Sequence, residues 1–187
     1  TLGVLHVDEA MLLELNLLEG VALATKRNNA VVQADEMVAN LKIIPYALPN
    51  ETVALAESIT RDHAILKLAP LQHQRVGLIV TGSSASEAKT VRSFMRALQP
   101  RLERLNATVN ETMFIALENE AIETKLAAAI RQFSQTFSMV LLAGDTAIMD
   151  RRDIVPQAVE AAGGEVVGFG APVDPGNLFM LGCLGNT

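Results

Sequence analysis

The 187-residue chain is long enough for one large domain or two small ones, and at 50% hydrophobic residues it can bury a sizeable core. One Tyr, six Phe and no Trp leave aliphatic side chains to supply most of that core. A net charge of −6 argues against generic binding to a nucleic-acid backbone, which needs a basic face, but not against a small anion held at a local site.

No apolar run approaches the roughly 18 residues of a membrane span, and no signal-peptide pattern opens the chain. The lone Cys183 rules out an intrachain disulfide, fits a reducing, cytoplasmic compartment, and reads as a buried apolar thiol rather than a reactive one. The chain starts at Thr1 without an initiator Met and stops at Asn186-Thr187 just after an apolar run. It is therefore expected to be a piece of a longer polypeptide, cut at both ends.

Residues 1–72 read as a small α+β domain. Asp8 is placed to cap a short helix with Leu12, Leu15 and Leu18 on one face and Gly20 at its end. Val21 to Ala24 and Ala30 to Val32 are strand-like on either side of the turn Lys26-Arg27-Asn28-Asn29. Met37 to Ile44 ends at Pro45, Asn50 is expected to cap a helix reaching about Ile59, and Ala64 to Leu68 reads as a strand. His6, His63 and His73 have no metal-ligand spacing. His63 follows Asp62, but neighbours on a strand point to opposite faces, so the histidines read as surface residues.

Pro70 to Arg75 is the expected boundary, and residues 73–187 have a more regular rhythm. Val76 to Val80 is a buried-type strand ending in Thr81-Gly82-Ser83-Ser84, and Ser84 with Glu87 has capping-box spacing. A helix follows with Val91, Phe94, Met95, Leu98, Leu102 and Leu105 on its apolar face, kinked or split at Pro100. Thr108 to Leu117 is strand-like and Ala121 to Phe133 helical. Met139 to Leu142, a helix after Asp153, Glu165 to Phe169 and Leu178 to Leu181 complete the alternation. Strands alternating with helices predict a three-layer α/β sandwich with a mostly parallel central sheet.

Ligand sites in such sheets gather at the carboxyl ends of the strands. Thr81, Gly82, Ser83 and Ser84 combine a glycine, three hydroxyls and a helix start, which suits a phosphate or carboxylate, although such residues before a helix more commonly form a capped start with no ligand. Lys89 and Arg92, further along that helix, could add positive charge. The loop Gly144-Asp145-Thr146 through Asp153 holds three aspartates, and Asp145, Asp150 or Asp153 could face a polar ring or hold Mg²⁺ beside a phosphate. On the plainer reading, Asp153 caps the next helix. Asp174-Pro175-Gly176-Asn177 is a turn on any reading and would form a third wall. No G-x-G-x-x-G or P-loop fingerprint occurs.

With those loops in place, residues 76–187 resemble the molybdopterin-binding domain shared by molybdopterin adenylyltransferases and molybdotransferases. Val76 to Ser83 (VGLIVTGS) looks like the opening strand and Thr-Gly loop, and Leu141 to Thr146 (LLAGDT) stands at the Gly-Gly-Thr-Gly-like loop. Arg152 to Ala158 (RDIVPQA) is similar to the Arg-Asp-x-Thr-Pro-Glu-Ala helix start, and Val173 to Asn177 (VDPGN) to the Lys-Pro-Gly-Lys-Pro loop. Val38 to Pro49, Asp150 to Pro156 and Pro172 to Asn177 are closer still to a bacterial subgroup in which this region precedes a cytidylyltransferase-like domain.

The resemblance implies molybdopterin or a molybdenum-cofactor nucleotide bound at Thr81, Gly82, Ser83, Ser84, Gly144, Asp145, Thr146, Asp174, Pro175, Gly176 and Asn177. Asp150 and Asp153 would be the catalytic and Mg²⁺-binding carboxylates. It also implies a homo-oligomer, with a C-terminal cytidylyltransferase-like domain or other molybdenum-cofactor enzymes as partners. Ala143, Asp145, Val155, Asp174 and Asn177 depart from the family pattern. Asp174 in place of a cation weakens affinity for phosphate, which bears on ATP-dependent adenylyl transfer more than on pterin binding. Binding module, transferase and scaffold with a degenerate site all stay open.

Overall fold

Alternation of apolar residues over Gly3–Val7 makes the first strand, β1, with Leu5 and Val7 buried and His6 exposed. The computed structural model describes residues 2–118, 120–146 and 148–185. Asp8 ends β1 and caps helix α1 (Glu9–Asn16), its Oδ1 accepting the Met11 N–H at 3.0 Å. Leu15 on this helix is buried with Val21 and Ile65, and Leu12 and Leu18 pack beside them.

Strands β2 (Val21–Thr25) and β3 (Ala30–Val32) flank the Lys26–Asn29 turn yet do not pair with each other. β2 pairs with β4 (Ala39–Ile43), and β3 joins β1, whose other edge takes β5 (Leu66–Pro70); every ladder here is antiparallel. Helix α2 (Asn50–Thr60) follows β4. Asn50 is its first residue and not its cap; Pro49, with φ −60° and ψ 142°, holds the extended cap conformation without a side-chain bond.

The chain divides into two compact units, Thr1–Gln72 and His73–Thr187. The second unit is organised on β6 (Gln74–Gly82), buried from Val76 to Gly82. β6 pairs in parallel with β7 (Ala107–Ala116) on one side and β8 (Met139–Gly144) on the other, giving the order β7-β6-β8. The register runs from Val76 opposite Met139 to Thr81 opposite Gly144, so the two strands on which the expected sheet depends lie side by side.

Helices α3 (Glu87–Glu103), α4 (Ile122–Ser134) and α5 (Ile154–Ala161) alternate with these strands. Val76 is buried with Leu102 of α3 and Ala107, whereas Ile79, of opposite parity on β6, joins Leu126, Ile130 and Phe133 of α4. A side chain at Gly77 would meet Phe133 at 2.4 Å and Phe137 at 2.7 Å, so glycine lets both rings sit directly on the strand. Pro100 does not split α3; it lies in the last turn, where few intrahelical bonds remain to lose.

β9 (Glu165–Phe169) and β10 (Met180–Cys183) form an antiparallel pair with a register shift between Leu181 and Gly182. The architecture is thus mixed α/β, with a parallel three-stranded sheet and separate antiparallel sheets. Cys183 is exposed, contrary to the buried thiol expected, because β10 has β9 as its one sheet partner among the described residues. No helix among the described residues is long and apolar enough to cross a membrane.

Candidate functional site

Parallel strands β6 and β8 end together, and their last residues approach unusually closely. A Cβ on Gly144 would lie 2.0 Å from Thr81 Oγ1 and 2.4 Å from the Thr81 carbonyl oxygen. The buried Thr81 hydroxyl shares a hydrogen bond with the Thr146 hydroxyl at 3.1 Å, and the Asp145 N–H donates to the Thr81 carbonyl at 3.1 Å. Asp145 lies over the end of β6, where a side chain on Gly82 would come within 3.0 Å of its Oδ2.

A cleft of about 380 Å³ opens at this junction. Its polar edge is Thr81, Gly144, Asp145 and Thr146. Phe94 from α3, Leu142 and Ala143 from β8, Ile148, Val155 from α5 and Leu178 make up the rest of the lining. The polar residues are legible in the sequence because each lies at or just beyond the end of a strand. Phe94 and Leu142 read as ordinary core, since an apolar cleft wall has the same periodicity as a core face.

Ser83 and Ser84 do not line the cleft. The Ser83 hydroxyl donates to Glu118 Oε1 at 2.6 Å, and the Ser84 N–H donates to both carboxylate oxygens of Glu118 at 3.2 Å. These bonds, that from the Ser83 hydroxyl first, hold the Glu118 carboxyl below its ordinary range. The loop therefore does bind an anion, and the anion is the chain's own side chain. The expected capping box is absent: Ser84–Ser86 forms a 3₁₀ turn, and α3 begins at Glu87 with no side-chain cap.

Asp150 and Asp153 are committed to their own turn. Asp153 Oδ2 accepts the Met149 N–H at 2.7 Å and the Asp150 N–H at 2.9 Å, and Asp150 Oδ1 accepts the Arg152 N–H at 2.7 Å. Asp153 stands at the N-cap of α5, but its side chain makes no bond into the helix and instead reaches backwards. Ala147, within the same loop, lies outside the described residues. Asp174, Pro175, Gly176 and Asn177 are exposed and stand outside the cleft lining, to which their neighbour Leu178 contributes. The Asn177 carbonyl accepts the Ala171 and Phe179 N–H groups. Among the described residues no group of three or more His, Cys, Asp or Glu is arranged to hold a metal ion.

The Asp153 carboxyl is held below the usual aspartate range, chiefly by the Asp150 amide and then by that of Met149. A carboxyl whose folded value is depressed stabilises its turn above the unfolded value, and that support is lost as pH falls through the lower folded one. The amide resonances of Met149 and Asp150 should accordingly titrate together below about pH 4. In Asp153→Ala the Met149 change should be largely lost. Identical titration curves in the two proteins would show that the carboxylate does not order the turn.

Compared with protein-family models, with curated proteins and with solved structures, the chain matches none.

Proposed function

We propose that the cleft at the carboxyl ends of β6 and β8 binds molybdopterin or a molybdenum-cofactor nucleotide, and that the chain serves molybdenum-cofactor biosynthesis as a binding module. The observation that carries this reading is the make-up of the cleft: aromatic and aliphatic lining from Phe94, Leu142, Ile148 and Leu178 together with the polar Thr81, Asp145 and Thr146. A flat heterocycle with a hydrogen-bonding rim suits such a slot, with its faces against the apolar wall and its amino group towards the Asp145 carboxylate. The likeness of the strand-end loops to the molybdopterin-binding family supports the same reading.

The phosphate arm of the ligand would compete with Glu118 for the Ser83 and Ser84 donors. Mg²⁺ fits less well, since Asp150 and Asp153 already accept backbone N–H groups of their own turn. No metal-dependent step is therefore part of the reading. Adenylyl or molybdate transfer is the alternative, favoured by the position of both aspartates between the cleft-lining Ile148 and Val155. A three-layer sandwich for the second unit belongs to the proposal as well, supported by the separate clusters on alternate residues of β6. So do self-association and a neighbouring transferase as partner; sedimentation should give a dimer or trimer, and a clean monomer would remove that part.

Incubation with molybdopterin, ATP and Mg²⁺ should give binding without nucleotide turnover, whereas transfer that depends on Asp153 would overturn the module reading. In calorimetric titration Asp145→Ala should bind molybdopterin about tenfold more weakly, the loss of one charge-assisted hydrogen bond, at unchanged Tm.

A further inference from the structure

We propose that the first unit carries a second ligand site, for a small phosphate-bearing molecule, independent of the pterin reading. The site is a cavity of about 290 Å³ framed by β1, the turn after β2 and the start of β5. His6 and His63, 57 positions apart by number, both line it, with Lys67, Asn28 and Asp8.

Their convergence follows from the topology. His6 on β1 stands directly opposite Lys67 on β5, so the two side chains leave the sheet on one face. His63 belongs to the irregular connection between α2 and β5, not to a strand, so the alternation that would separate it from its neighbours does not apply. That connection is tied to the end of β1 by the Asp8 N–H, which donates to the Ile65 carbonyl at 2.8 Å. Asn28 reaches in from the turn; its Oδ1 accepts the Val7 N–H at 3.0 Å, which fixes the carboxamide and leaves Nδ2 as a donor.

The charge balance in this cavity is unusual for a chain of net charge −6. Its titratable lining groups are His6, His63, Lys67 and Asp8. Asp8 supplies the one carboxylate, and its Oδ1 is taken by the Met11 N–H at the start of α1. Among the described residues the ion pair within 4 Å is Lys26 with Glu36, so neither imidazole nor the Lys67 ammonium has a carboxylate partner at that distance. The lining is not arranged as a metal site. Ammonium, imidazole and amide groups lining one cavity suit a tetrahedral anion with several acceptor oxygens. The volume exceeds that of a bare phosphate, and the buried Val7 and Ile65 offer apolar contact to an organic portion.

The test is NMR titration of the full chain, at about pH 6, with inorganic phosphate, with sulfate and with ribose 5-phosphate. The imidazole resonances of His6 and His63 should shift together and saturably while those of His73 stay fixed, and the sugar phosphate should bind more tightly. Lys67→Gln and His63→Gln should each weaken binding about tenfold with unchanged Tm. Absence of a saturable shift, or an equal shift at His73, would overturn the site. Equal affinity for phosphate, sulfate and the sugar phosphate would reduce it to an adventitious ion only and overturn the proposal of a phosphate-bearing ligand.

Discussion

Gly144→Ala is expected to destabilise the second unit by about 3 kcal/mol and to lower its Tm by roughly 10 °C. The added Cβ would sit 2.0 Å from Thr81 Oγ1, 2.4 Å from the Thr81 carbonyl oxygen and 2.8 Å from the Thr81 nitrogen. The hydroxyl could rotate aside, but the other two atoms are backbone of the paired strand and can move only if β6 and β8 separate. Gly168→Ala is the control, because its Cβ would meet Leu181 at 3.5 Å, an ordinary contact. A Gly144→Ala protein melting with the wild type would show that the strand ends are not packed this tightly, and the cleft built on them would lose its basis.

Phe133→Ala should cost about 3–5 kcal/mol, because it removes a large side chain that the surrounding core cannot replace. Phe133 is 1% exposed, and its ring meets that of Phe137 edge-on at 5.4 Å between centroids. It also covers Gly77, so truncation opens a void against the central strand. Urea unfolding should show a lower midpoint with an unchanged slope. Phe179→Ala, at a residue 50% exposed, should shift the midpoint far less. Comparable losses for the two phenylalanines would mean that α4 does not anchor the sheet.

The parts of the structure that were legible in the sequence are those governed by local rules. Val76 to Val80 reads as a buried strand, the apolar spacing from Ile122 to Phe133 reads as a helix, and Asp8 reads as a cap; each is seen within a residue or two. Partner choice was not legible. β2 and β3 adjoin the same turn, yet each finds its ladder elsewhere, because a hydrophobic pattern says which face is buried and not which strand lies alongside.

The same division runs through the site. Thr81, Gly144, Asp145 and Thr146 could be named in advance because polar residues after strands collect at one edge of a parallel sheet. The occupation of the Ser83 and Ser84 donors by Glu118 could not, since the carboxylate comes from a residue 35 and 34 positions away, just beyond the end of β7. Nor could the use of Asp153 within its own turn, where the side chain accepts from preceding amides rather than from the helix ahead. Leu178 reached the cleft while the turn residues Asp174 to Asn177 did not, a distinction of side-chain direction that composition does not encode.

The most direct measurement of the central claim is the amide shift map of the full, isotope-labelled chain titrated with pterin. Saturable shifts should concentrate at Gly82, Gly144, Asp145, Thr146 and Leu178, with matching changes in the Phe94 ring signals. Shifts confined to the exposed Asp174–Asn177 turn or to the first unit, or no saturable shifts at all, would contradict a pterin site at the ends of β6 and β8.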